Sequence, residues 1–193
     1  MKCILLGSAP YMKEWCQNHL MWFVENDYKV ITFNNSWKLV EPKTITEWHC
    51  SANHDIVGTF IPTKEEQTHF QTILHTCEMA KIQKISDKYI NYRHGTMFLN
   101  VMYYILVEKV YSDVVVVGCD MIYTKQGDTF YSDLEENRAR NDPVNTYGEE
   151  GLNKELEHCK KQFNEHKIKL SNASTTESRL TFDRFTTHIE SNT

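Results

Sequence analysis

A chain of 193 residues is long enough for one domain with a substantial core and short for two. Hydrophobic residues at 40%, charged residues at 24% and a net charge of -5 describe an ordinary, mildly acidic globular protein and argue against an extended nucleic-acid surface. No run approaches the roughly 18 apolar residues of a membrane span, and CILLG near the start is too short for the apolar core of a signal peptide.

In chain order, Lys2 to Leu6 reads as an apolar strand ending at Gly7-Ser8-Ala9-Pro10, and Tyr11 to Glu25 follows as a helix with Trp15, Leu20, Trp22 and Phe23 at helical spacing. Val30 to Phe33 is a second strand, stopped by Asn34-Asn35-Ser36, whose side chains favour turns. Thr44 to Ala52 is a third strand, ending at Asn53. Thr63 to Lys81 is expected to be a helix, with Thr63 as N-cap and Glu66 as its capping-box partner. Lys84 to Arg93 reads as a short strand and loop, and His94-Gly95-Thr96 opens a long apolar helix, Met97 to Val110.

That helix feeds the run Val114 to Val117, four β-branched residues apolar on both faces, as in a strand buried mid-sheet. Gly118-Cys119-Asp120 and a loop rich in Tyr and Thr follow. A helix running straight into a buried strand is the second half of a parallel crossover. The polar stretch near 132–150 reads as a mobile lid, Leu152 to His166 as a helix and Lys167 to Leu170 as a last strand. The fold class expected is α/β: a single Rossmann-like domain over 1–170, its central mostly parallel sheet covered by helices on both faces. Residues 171–193 read as a polar C-terminal tail in which Leu180, Phe182 and Phe185 are able to dock.

In such sheets ligands bind beyond the carboxyl ends of the strands, so the candidate binding residues lie at those ends. The turn at Gly7 and Ser8 and the helix start at Arg93, His94, Gly95 and Thr96 can aim backbone N–H groups at a phosphate, with Arg93 adding positive charge. Asn34 and Asn53 offer the paired donor and acceptor that suit a nucleobase or ribose. Asp120 suits catalysis or loop orientation. The G-x-G-x-x-G pattern of dinucleotide enzymes, a G-x-S-x-G elbow and a D-x-D pair are all absent, and His49, Cys50 and His54 match no zinc spacing. The six cysteines, Cys3, Cys16, Cys50, Cys77, Cys119 and Cys159, form no C-x-x-C pair and read as free thiols of a cytoplasmic protein. Ten tyrosines and four tryptophans supply rings for the core and for stacking on a base or sugar.

The order of these features resembles the bacterial CMP-sialic-acid-dependent sialyltransferases of lipooligosaccharide synthesis: a glycine turn with proline after strand one, asparagines after the next two strands, a glycine opening a long helix, and G-x-D with a tyrosine-rich loop. The resemblance continues through Asn141-Asp142, Lys167 to Leu170 and Ser178-x-Leu180, and so covers most of the chain. It implies a metal-independent glycosyltransferase without cofactor, which transfers a sugar from a nucleotide-sugar donor, CMP-sugar favoured, to a hydroxyl acceptor such as a glycan or modified nucleic acid. By position, Ser8 stands where that family has a donor-side asparagine, Asn34 and Asn53 match its nucleotide contacts, and His94-Gly95 falls on its Ser-Gly. Tyr123, with Phe130 or Tyr131, falls near its two phosphate-holding tyrosines, and Glu149 near its basic histidine. Glu149 or His94 is then the base expected to act on the acceptor.

Locally, Gly118 to Thr124 is also similar to the archaeal 6-hydroxymethylpterin pyrophosphokinase-like proteins through G-x-D-x-x-Y-T, which implies magnesium-dependent pyrophosphoryl transfer to a pterin-like alcohol. A nucleotide-binding module without activity is the non-enzymatic alternative. Aromatic residues on the Tyr103-Tyr104 helix suit self-association.

Overall fold

The computed structural model describes residues 1–50, 62–75, 88–89, 96–108, 110–122 and 143–186. Strand β1 (Lys2–Leu6) leads into helix α1 (Met12–Glu25), β2 (Tyr28–Phe33), two short 3-10 turns (Asn34–Leu39 and Pro42–Thr44) and β3 (Ile45–Cys50). Next come α2 (Lys64–Gln67), β4 (Thr72–His75), β5 (Lys88–Tyr89), α3 (Met97–Glu108), β6 (Asp113–Val117), α4 (Pro143–Glu165), β7 (Lys169–Asn172) and β8 (Asp183–Arg184). The strands form one eight-stranded sheet in the order β5-β4-β3-β2-β1-β6-β7-β8, with every described pairing parallel. This is the Rossmann-like α/β domain expected from the alternation of strand and helix patterns.

Alternation along β1 explains both faces. Ile4 and Leu6 pack with Val30, Val115 and Val117 against Met12, Trp15, Cys16, Leu20 and Phe23 of α1. Cys3 and Leu5 point the other way, with Ile31, Val114 and Val116, into a second layer formed by α3 and by Leu152, Leu156, Cys159 and Phe163 of α4. All four valines from Val114 to Val117 are fully buried, as a strand covered on both faces requires. Left-handed residues close two of the helices: Asp27, at φ 62, follows α1 and Lys167, at φ 58, follows α4.

Two stretches differ from the expectation. The Thr63 cap is present, with Glu66 N–H donating to Thr63 Oγ1 and Thr63 N–H to Glu66 Oε2, but the helix it starts covers only Lys64–Gln67. Thr72 to His75, expected to continue that helix, instead pair with Glu47 to Cys50 as β4. The burial of Ile73 and Leu74 and the sheet ladder outweigh the local helical signal.

The boundary expected at residue 170 falls inside β7, and the chain from Ser171 to Arg184 belongs to the sheet and core. Leu180 and Phe182 are buried with α4, and Phe185 stacks on Phe23 at 5.2 Å, so all three apolar residues dock. Thr181 is further tied to α4 through Lys160, which donates to its carbonyl, and Glu157, which accepts from its hydroxyl. Of the expected lid, 132–142 lie outside the described residues. Residues 143–150 are helical and belong to α4, which is broken at Gly148, where φ 69 and ψ 160 suit glycine alone.

Candidate functional site

Strand order reverses at β1, which has β2 on one side and β6 on the other. At such a reversal the loops leaving neighbouring strands part to opposite faces and open a crevice at the carboxyl edge. The turns after β1 and β6 meet there. Gly7 N–H donates to Val117 O at 2.8 Å and Ala9 N–H to Gly118 O at 3.1 Å, so two amides of the Gly7-Ser8-Ala9-Pro10 turn are committed to the neighbouring turn. Gly118 adopts φ 72, and a methyl group on Gly7 would fall 2.1 Å from Gly118 O. These glycines are explained by two backbones in contact. Ser8 lies half-buried beside them.

Asp120 follows directly and is 8% exposed. Its Oδ2 accepts from the Tyr11 hydroxyl at 2.8 Å and, more weakly, from Thr176 at 3.5 Å, while Oδ1 has no partner among the described residues. The buried Ser174 hydroxyl, in the segment that follows β7, also has no hydrogen bond of ordinary length among them. Burial raises the Tyr11 phenol well above its usual range and the Asp120 carboxylate adds to that, with Ser174 opposing, so Tyr11 remains a hydrogen-bond donor across the working pH range. Met121, next in sequence, is held at φ 55, an uncommon conformation for a bulky side chain.

Arg179 completes this edge. Its backbone N–H donates to Asp120 O at 2.9 Å, its Nε to Met121 O at 2.8 Å and its terminal nitrogen to Glu149 Oε1 at 2.9 Å. Arg179 thereby links the chain at Asp120 and Met121, through its main-chain N–H and Nε, to Glu149, 29 positions after Asp120 in sequence. Glu149 itself is 71% exposed and stands just after the break at Gly148, where a carboxylate also suits the positive end of a helix.

Asn34, at φ 49, lies at the end of the adjacent β2, and its carbonyl accepts from the Trp48 indole at 2.9 Å. Thr96 caps α3: its Oγ1 accepts from Leu99 N–H at 3.0 Å, and its carbonyl accepts from the Asn100 amide. Gly7, Ser8, Asn34, Asp120 and Glu149 thus lie along the carboxyl edge, with Thr96 at the start of the helix that enters the sheet's other layer. Asn53, Arg93, His94, Gly95, Tyr123 and Tyr131 lie outside the described residues.

The chain matches no family model, no curated protein and no solved structure.

Beyond the residues singled out from sequence, the structure adds Tyr11, Ser174, Thr176 and Arg179 around Asp120, and a second polar group under α3. There Glu47 Oε1 accepts from the Tyr111 hydroxyl at 2.6 Å and Oε2 meets His49 Nε2 at 2.9 Å. A carboxylate only accepts, so Nε2 carries the proton of that contact. His49 is fully buried, packs edge-on against Tyr104 at 5.1 Å, and its Nδ1 has no partner among the described residues. Burial, then Glu47, pushes the Tyr111 phenol far above its usual range, so it too stays a donor. Glu47 and His49 are two apart on a strand and share a face; that period was the signal available in sequence.

Among the described residues no group of three or more His, Cys, Asp or Glu side chains is arranged to hold a metal ion, and no helix is long and apolar enough to cross a membrane. Cys3, Cys16, Cys50, Cys119 and Cys159 are buried free thiols. Burial pushes Cys16 and Cys159 up to about 12, and Cys3 and Cys119 also well upward, so these sulfurs are protonated packing groups at neutral pH.

Proposed function

We propose that the protein is a metal-independent glycosyltransferase that binds a nucleotide sugar, CMP-sugar first among them, at the carboxyl edge of β1, β2 and β6. The observation that carries this reading is the reversal of strand order at β1, with Ser8, Asn34 and Asp120 at the ends of the three adjoining strands. An amide and a carboxylate oxygen at that edge suit the base and hydroxyls of a nucleoside. Tyr11 holds Asp120 by Oδ2, and the buried Oδ1, without a partner among the described residues, is the acceptor proposed for a ribose or sugar hydroxyl.

In the reaction, the acceptor hydroxyl oxygen forms the new bond to the anomeric carbon, and its proton passes to a base, Glu149 or His94. The glycosidic oxygen of the nucleotide phosphate departs with the electron pair. A single displacement of this kind inverts the anomeric centre and requires no covalent enzyme intermediate. Tyr123 and Tyr131 are proposed to donate hydrogen bonds to the departing phosphate in place of a metal ion. The acceptor class is a hydroxyl on a glycan or a modified nucleic acid.

Incubation with a panel of CMP- and UDP-sugars in the presence of a chelator tests this directly. Release of free CMP from a CMP-sugar is the expected result. No turnover, joined with no binding of any nucleotide, would overturn the proposal. Magnesium-dependent release of AMP from ATP would replace it with the pyrophosphokinase reading.

A further inference from the structure

Arg179 was not among the binding residues legible in sequence, yet among the described residues it is a firmly held cation of the candidate site. Three hydrogen bonds fix it: its main-chain N–H on Asp120 O, Nε on Met121 O and a terminal nitrogen on Glu149. The contact with Met121 sets the plane of the guanidinium, so that its position does not depend on Glu149. Of the five N–H groups of the side chain, these contacts use two among the described residues.

The partner at the outer end is of a different kind. Glu149 is 71% exposed, against 24% for Arg179, and stands beside a glycine break around which a methyl group would meet nothing within 4 Å. An exposed carboxylate on a long side chain contributes little to stability through such a pair. It is an anion that a better anion can displace. A phosphate presents more charge and more acceptor oxygens to the planar fork of an arginine.

Resting on the nucleotide reading above, we infer that Arg179 is the phosphate-binding residue of the site, and that Glu149 occupies the phosphate position until the nucleotide arrives. Exchange of carboxylate for phosphate anchors the nucleotide and releases Glu149 towards the acceptor side. The guanidinium thereby adds to the tyrosine donors in selecting nucleotides over nucleosides. Gly148 gives the released end of α4 a backbone conformation open only to glycine.

The experiment compares CMP with cytidine by calorimetric titration of the full chain and of R179Q and E149Q. The wild type is expected to bind CMP more tightly than cytidine. In R179Q, CMP should weaken by about tenfold to a hundredfold, the loss that accompanies a charge-assisted hydrogen bond, while cytidine stays within about twofold. In E149Q, which removes the competing charge, CMP should bind about two- to fivefold more tightly. If the wild type binds CMP and R179Q binds it equally well, the assignment of Arg179 is overturned and the nucleotide reading stands. If the wild type binds neither CMP nor cytidine nor any other nucleotide, both fall. Should R179Q fail to fold, E149Q decides: unchanged or weaker CMP binding contradicts the exchange.

Discussion

Substituting Gly7 by alanine is expected to destabilise the protein by about 3 kcal/mol, at the upper end of what overpacking a well-packed interior costs. The added methyl group would lie 2.1 Å from Gly118 O, 2.3 Å from Gly118 C and 2.6 Å from Cys119 Sγ. Two of those atoms are main chain and cannot turn aside, so the β1 and β6 turns must separate. Their separation breaks the Gly7 N–H···Val117 O and Ala9 N–H···Gly118 O hydrogen bonds and displaces Asp120 from Tyr11. Gly118→Ala provides the contrast. Its methyl group would meet the buried Met12 side chain, at 2.4 Å from Sδ and 2.6 Å from Cγ, so a side chain rather than main chain must shift, in addition to the strain of the positive φ of 72, worth about 1 kcal/mol. Denaturant unfolding of both variants gives the comparison. Equal stability of Gly7→Ala and wild type would contradict the close packing of the two turns.

Glu47→Ala is expected to cost about 3–5 kcal/mol, because each buried donor left without a partner costs about 1–3 kcal/mol. Glu47 serves two buried donors at once, the Tyr111 hydroxyl and His49 Nε2, and its removal leaves both without a partner and opens a void beneath α3. At roughly 2–4 °C per kcal/mol for a domain of this size, the melting temperature should fall by about 10 °C. Glu47→Gln retains volume and an acceptor for Tyr111, so it should lie between alanine and wild type. Thermal melts that place alanine level with wild type would mean that the carboxylate is dispensable to the core.

How far the sequence revealed this molecule depends on the range of each interaction. Val114 to Val117 were legible because a run buried on both faces needs only its own side chains to declare itself. The first strand was legible to the residue at both ends. The cap at Thr63 was legible too, but the cap says where a helix starts and nothing about where it stops. Four residues later the chain leaves the helix to join β3, a decision made by Glu47 to Cys50 rather than by local propensity. At the far end, Leu180, Phe182 and Phe185 announced docking, whereas a two-residue strand such as β8 carries too little pattern to be read.

The candidate site divides in the same way. Gly7, Ser8, Asn34 and Asp120 follow strands, and the rule that ligands gather at the carboxyl ends picks them out. Arg179 was hidden because its role comes from Met121 and Glu149, which lie 58 and 30 positions away. His49 drew attention for its neighbours Cys50 and His54, while its partner on the same strand face was Glu47.

The claim on which the rest depends is that the carboxyl edge between β2, β1 and β6 grips a nucleotide. A crystal structure of the protein soaked with CMP measures this most directly. The account predicts density for the nucleoside between Asn34 and Asp120 with its phosphate on Arg179. CMP bound elsewhere on the surface, or a crevice closed by packed side chains and empty at saturating CMP, would contradict it.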